Sequence, residues 1–182
     1  LNLVDKALQL EPENHQAATL RDSIVQKMAS SSETLEILEL MEKANHLYKK
    51  KQYSRALKQY EKVLDLERNN RQAIYRAANC NAFLKNQAQA MEYFNRVLVL
   101  DPSNHHAHNN LAVLFFEQKE YNQALLSLQR SLKIDPRFDP ALRNMAQVEK
   151  MLSNRGEGAT EASKNYADRK PVSSRSGGEK DA

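Results

Sequence analysis

At 182 residues, with 41% hydrophobic and 27% charged side chains, the chain is sized for one medium domain or two small ones of ordinary composition. Its net charge of +4 is diffuse, and Lys49 to Lys51 form the one tight basic run. Without a larger basic patch or a reading motif, nucleic acid is not an expected partner. No stretch of about 18 apolar residues reads as a membrane span, and no signal-peptide pattern opens the chain. The lone cysteine, Cys80, makes no internal disulfide and suits a reducing compartment. The expected location is therefore cytoplasmic, with no direct membrane insertion. Residue 1 is Leu, so an anchor or another domain upstream is left open.

All four glycines (Gly156, Gly158, Gly177 and Gly178) follow residue 155. Glycine inside a helix costs about 1 kcal/mol against alanine, so the glycine-free stretch before them reads as helix after helix. It also leaves no means of building a Gly-rich phosphate loop.

In chain order, residues 1–14 (LNLVDKALQLEPEN) read as the second helix of a repeat unit, closing at Glu11-Pro12. Residues 15–28 read as a first-type helix without a second. Together 1–28 are expected to be the remnant or cap of an upstream helical repeat block. Residues 29–36 are expected to be a linker, because Ser30, Ser31 and Ser32 interrupt the register. Ser30 and Glu33 have capping-box spacing, so a fresh helix is expected to start there.

Three gapless units of 34 residues follow: 37–70, 71–104 and 105–138. Small residues recur in phase on the first helix (Ala44, Ala78, Ala112) and on the second (Ala56, Ala90, Ala124). Large ones follow the second alanine four positions on: Tyr60, Phe94 and Leu128. Two helices approach closely only where facing side chains are small, and the bulky residues at helical spacing fill the flanks. Pro102 and Pro136 stop the second helix, since proline cannot continue the hydrogen-bond ladder. Residues 139–153 are expected to form a terminal capping helix, with one face apolar (Ala141, Leu142, Met145) and Glu149 and Lys150 on the wet side. Residues 154–182 carry six basic and five acidic side chains and neither Phe nor Leu. They are expected to be a disordered tail, because they cannot bury enough apolar surface to offset ordering entropy.

A 34-residue helix–turn–helix period resembles the tetratricopeptide repeat (TPR) family. The resemblance implies an all-α, right-handed superhelical solenoid of antiparallel helix pairs whose first helices line a concave groove. The usual family Trp is replaced by Leu40, Ile74 and His108, and the usual Leu-Gly pair by Lys43-Ala44, Ala77-Ala78 and Leu111-Ala112. Lys43 and Asn81 are polar where the family is commonly apolar.

No catalytic constellation emerges. His105, His106 and His108 lack a fixed Cys or carboxylate partner for a metal, and His108, at a large inward position, reads as a core aromatic substitute. Cys80 has no identifiable base or oxyanion donor. The Tyr and Met residues fall on core spacing and are assigned to packing. The chain is therefore expected to be no enzyme and to need no metal and no cofactor.

Carried onto this sequence, the family groove positions give a partner-binding set of Met41, Asn45, Tyr75, Arg76, Asn79, Phe83, His106, Asn110, Arg143 and Asn144. Asn45, Asn79, Asn110 and Asn144 form a row of amides able to pair with an extended peptide backbone, while Arg76, Arg143 and His106 suit an acidic group. One TPR subtype grips the C-terminal carboxylate of chaperone tails. Its positions correspond here to Met41, Asn45, Arg76, His106 and Asn110, and only Asn45 agrees. The expected function is a protein-interaction scaffold holding a protein or peptide segment without a chaperone clamp. The alternatives are a regulatory or substrate-docking region of a larger enzyme, or a self-assembling adaptor with homo-oligomers formed through an exposed solenoid end.

Overall fold

The computed structural model describes residues 2–10 and 15–155. The expected helix stop at Glu11-Pro12 and nearly all of the expected tail lie outside the described residues. Among those described there are eight α-helices and no strand: α1 Asn2–Leu10, α2 His15–Lys49, α3 Tyr53–Leu66, α4 Arg71–Phe83, α5 Gln87–Leu100, α6 His105–Glu117, α7 Tyr121–Ile134 and α8 Asp139–Asn154. The all-α class of paired helices is therefore as the repeat implied. No described helix is long and apolar enough to cross a membrane.

The 34-residue phase is carried into the helix boundaries. First helices α4, α6 and α8 begin at 71, 105 and 139, and second helices α3, α5 and α7 begin at 53, 87 and 121. The same three local devices recur at that spacing. Asn70 Oδ1 accepts from the Ala73 amide at 2.9 Å and Asn104 Oδ1 from the Ala107 amide at 3.0 Å, each satisfying an orphan donor of the helix it opens. At α8 the cap position is Phe138, which makes no side-chain cap bond, and proline in the first turn pre-sets the helical φ instead.

The first helices α2, α4 and α6 end the same way. Lys51, Lys85 and Lys119 are left-handed, with φ of 59°, 64° and 63°. The following amides reach back to close the turn: Gln52 to the Leu47 carbonyl at 3.0 Å, Asn86 to Asn81 at 2.9 Å and Glu120 to Phe115 at 2.9 Å. This is a Schellman-type stop, whose left-handed residue is ordinarily glycine. Lysine there bears the Cβ–carbonyl clash, roughly 1–2 kcal/mol, partly offset because glycine loses more chain entropy on folding. Replacing Lys51, Lys85 or Lys119 singly by glycine is expected to raise stability by about 0.5–1 kcal/mol. Denaturant melts would read this as a higher midpoint at constant slope, and a lowered midpoint would contradict it.

The chain divides into two compact units, residues 1–90 and 91–182. In the first, α1 lies against the start of α2, where Arg21 Nε meets Asp5 Oδ1 at 2.9 Å. The last turns of α2 pair with α3, and α3 with α4. Met41, Ala44 and Leu47 from α2, Ala56, Tyr60 and Val63 from α3, and Ala73, Ile74, Ala77, Ala78 and Cys80 from α4 are buried. In the second unit one core joins Ala112, Tyr121, Ala124, Leu125, Leu128, Leu132, Ala141, Met145, Val148 and Leu152. Every phased alanine and each of Tyr60, Phe94 and Leu128 is buried, so the small and large positions of the repeat are its crossing points and fillers.

Two departures from the sequence expectations have clear causes. Residues 29–36 are not a break: α2 runs unbroken from His15 to Lys49. No helix starts at Ser30. Ser31 Oγ donates to the Lys27 carbonyl at 2.9 Å and Thr34 Oγ1 to the Ser30 carbonyl at 2.8 Å, so the hydroxyls bond back along the helix instead of capping a new one. The first helix of the 37–70 unit is thus the C-terminal part of a much longer helix. Asn81, polar at a commonly apolar position, is buried and fully engaged: Nδ2 donates to the Ala77 carbonyl at 3.1 Å and Oδ1 accepts from Asn86 Nδ2 at 3.1 Å. Lys43 is simply exposed.

Candidate functional site

In the first unit, the end of α2, the turn after it and the outward side of α4 enclose a cleft of about 480 Å³ lined by Asn45, Tyr48, Lys49, Lys51, Tyr53 and Arg76. Helical spacing explains the placement. Asn45, Tyr48 and Lys49 lie three and four positions apart on one face of α2, and Lys51 and Tyr53 follow in the turn and the first residue of α3.

The cleft is held in shape by aromatic stacking. Tyr53 and Phe83 lie parallel with centroids 4.4 Å apart, and Tyr48 meets their edges at 5.4 Å and 6.2 Å. The Arg76 guanidinium sits 5.0 Å over the Tyr48 ring, a cation–π contact. Partial burial raises the Tyr48 phenol above its usual value despite the opposing pull of Arg76, so it stays a protonated donor at neutral pH. Asn45 Oδ1 accepts from the buried Tyr60 hydroxyl at 2.8 Å, which leaves the amide's N–H groups as its chief remaining capacity. Among the described residues the lining therefore holds three cations and several donors and no carboxylate.

The second unit offers a different surface. Asn144 Nδ2 on α8 donates to Asn109 Oδ1 on α6 at 2.9 Å, and Asn109 Nδ2 reaches Asn110 Oδ1 at 3.3 Å. A small cleft of about 60 Å³ lies alongside, lined by Ala112, Val113, Phe116, Leu128, Asn144, Gln147 and Val148. His105 and His106 stack at 4.1 Å and both meet the edge of Phe138. Burial first, then neighbouring His105, lowers the His106 pKa, so it is neutral over most of the physiological range. His108 is buried and its Nε2–H donates to the Pro102 carbonyl at 3.2 Å, the structural role its inward position suggests.

Of the ten expected groove residues, Asn45 and Arg76 line the first-unit cleft and Phe83 extends its aromatic wall. Tyr75 and Asn79 are half-buried on α4. Met41 is 8% exposed and belongs to the packed interior of the first unit. In the second unit Asn110 and Asn144 join a hydrogen-bonded amide cluster, while His106 and Arg143 are exposed. Sequence reasoning missed Tyr48, Lys51 and Tyr53. The tyrosines fall on core periodicity, and only the positive φ of Lys51, invisible in the sequence, fixes where its side chain emerges.

Two tetratricopeptide repeat models match, one over residues 41–105 and the other over residues 106–138, together more than half of the chain. The chain belongs to the tetratricopeptide repeat family. Among solved structures, this TPR chain is similar to the first TPR of Spaghetti (RPAP3) bound to HSP90 peptide SRMEEVD, at 24% identity and a TM-score of 0.62, covering 65% of this chain and 94% of that one. The Sgt2 TPR domain from Aspergillus fumigatus matches at 20% identity and a TM-score of 0.62, over 69% of this chain and 84% of that one. MamA matches at 14% identity and a TM-score of 0.64, over 91% and 81% respectively. These likenesses carry the TPR fold alone. No curated protein matches the sequence.

Proposed function

We propose that the chain is a non-catalytic interaction scaffold that holds an acidic segment of a partner protein against the first helices of its TPR units. The observation that carries this is the first-unit cleft, which Lys49, Lys51 and Arg76 line together with Asn45 and two tyrosines and, among the described residues, no carboxylate. Such a lining rewards an anion and penalises a cation, giving specificity through charge complementarity. The similar TPR bound to an acidic HSP90 peptide supports the class of ligand. It does not support the same grip, because four of the five clamp positions differ here (Met41, Arg76, His106 and Asn110).

The test is selection from a displayed random-peptide library on the full chain, followed by fluorescence anisotropy with the recovered peptides. Recovered sequences should be acidic. Replacing Arg76 and Asn79 together by alanine should weaken them by about tenfold or more, with helicity retained. Unchanged binding by that variant would sink the groove reading. The labelled peptide SRMEEVD is expected to bind at least about tenfold more weakly than the selected peptides. Equal or tighter binding would mean that a clamp operates after all.

A further inference from the structure

We propose that the first-unit cleft is a phosphate pocket: Lys49, Lys51 and Arg76 hold the dianion of a phosphorylated peptide side chain, whose stem rests against Tyr48 and Tyr53. This rests on the peptide-scaffold reading above and names the group its cleft is built for.

Charge decides the class of ligand first. Among the described residues the lining carries three positive side chains and no negative one. A single carboxylate offsets one of them and leaves two cations beside it in the cleft. A phosphomonoester brings about −1.5 to −2 at neutral pH and three strong acceptor oxygens, enough to offset two of the three cations and to offer each of them an oxygen. One effect runs the other way. Lys49 ends α2, and the C-terminal end of a helix carries roughly half a negative charge. That is small against three full positive charges, and it also draws the two lysines toward the turn, where they meet the cleft.

Geometry decides next. Arg76 is already positioned 5.0 Å over the Tyr48 ring, so less side-chain entropy remains to be lost on binding. A planar guanidinium is the group suited to paired phosphate oxygens. Lys51 is fixed at its backbone by the left-handed turn, with its amide bonded to the Tyr48 carbonyl at 2.9 Å. The cleft, about 480 Å³, has room for a phosphorylated side chain together with its stem. Beside it Phe83, stacked on Tyr53 yet 56% exposed, offers an apolar shelf for a residue adjoining the phosphorylated one. The site is distinct from the clamp positions, sharing only Asn45 and Arg76 with them, and its cationic side is built from the α2–α3 turn.

The probe is phenyl phosphate, titrated into the isotopically labelled full chain and followed by amide chemical shifts, with benzoate as the monoanionic control. Shifts are expected at Tyr48, Lys49, Lys51, Tyr53 and Phe83, with phenyl phosphate bound at least about tenfold more tightly than benzoate. Its affinity should rise as pH climbs through about 6, where the second phosphate proton leaves. Lys49→Gln with Lys51→Gln should weaken it about tenfold while leaving the spectrum of the second unit in place. Equal affinity for benzoate, no rise through that pH, or shifts confined to residues outside the cleft would each overturn the proposal. If library peptides bind but phenyl phosphate does not discriminate, the phosphate pocket fails and the scaffold stands. If phenyl phosphate binds as described and no peptide is ever recovered, the scaffold reading fails instead.

Discussion

Leu128→Ala is expected to cost about 2–5 kcal/mol of stability, the range for emptying a fully buried leucine. Leu128 is wholly buried in the core that joins α6, α7 and α8, and it walls the cleft of about 60 Å³ beside Asn144 and Val148. Truncation enlarges an existing void, so the collapse that rescues some large-to-small changes has little to work with. The neighbour Leu126, 49% exposed, gives the control: Leu126→Ala should stay within about 0.5 kcal/mol. Urea melts of both variants test the pair. Equal losses would mean that the repeat's large position is not the filler described above.

The second large effect is alkaline. Burial pushes the Cys80 thiol up to about 12 from an ordinary 9.0, with Glu61 adding to the rise and Arg76 opposing it. Burial likewise raises the Tyr60 phenol well above its usual value. Both are acids whose folded form prefers the proton. Their contribution is therefore complete below the unfolded values and is lost as pH climbs toward the folded ones. For Cys80 the window opens near pH 9, with a ceiling of about 1.4 kcal/mol per pH unit. Denaturation midpoints should hold flat through neutral pH and fall above about 9. Cys80→Ala should flatten the first part of that fall, and the native thiol should resist disulfide reagents until the chain opens. A midpoint unchanged up to about pH 10.5 would show that the thiol and phenol titrate as readily folded as unfolded.

The distribution of legible and illegible features follows from range. The repeat was readable because its signals are local and recur: an alanine at each crossing, a bulky residue one helical turn later, Pro102 and Pro136 after the second helices. The same periodicity does not separate Tyr48 and Tyr53, which pack on one another and wall the cleft, from core residues, because a half-buried wall and a full core share one spacing. Whether such a residue meets a core or a cleft depends on Arg76 and Phe83, far along the chain. The serine run was misread for a related reason. Ser31 and Thr34 can cap a helix or bond back into one, and the outcome is set by whether the helix is already propagating from His15.

Two of the four groove asparagines, Asn45 and Asn144, show the limit most clearly. Their positions were legible, but Asn45 spends its carbonyl on Tyr60, and Asn144 joins Asn109 across two helices. Their bonding depends on partners 15 and 35 residues away.

By itself, the sequence determined the helical class, the 34-residue unit, the identity of the crossing and filling residues, and the basic and amide character of the first helices, because each is a property of spacing along one helix. Tertiary structure alone decided three things: that α2 is continuous, that lysines occupy the left-handed turns, and that Lys49, Lys51 and Arg76 line one aromatic-walled cleft. Side chains distant in sequence share a site only once the burial of Ala56, Tyr60, Ala77 and Ala78 has brought their helices together.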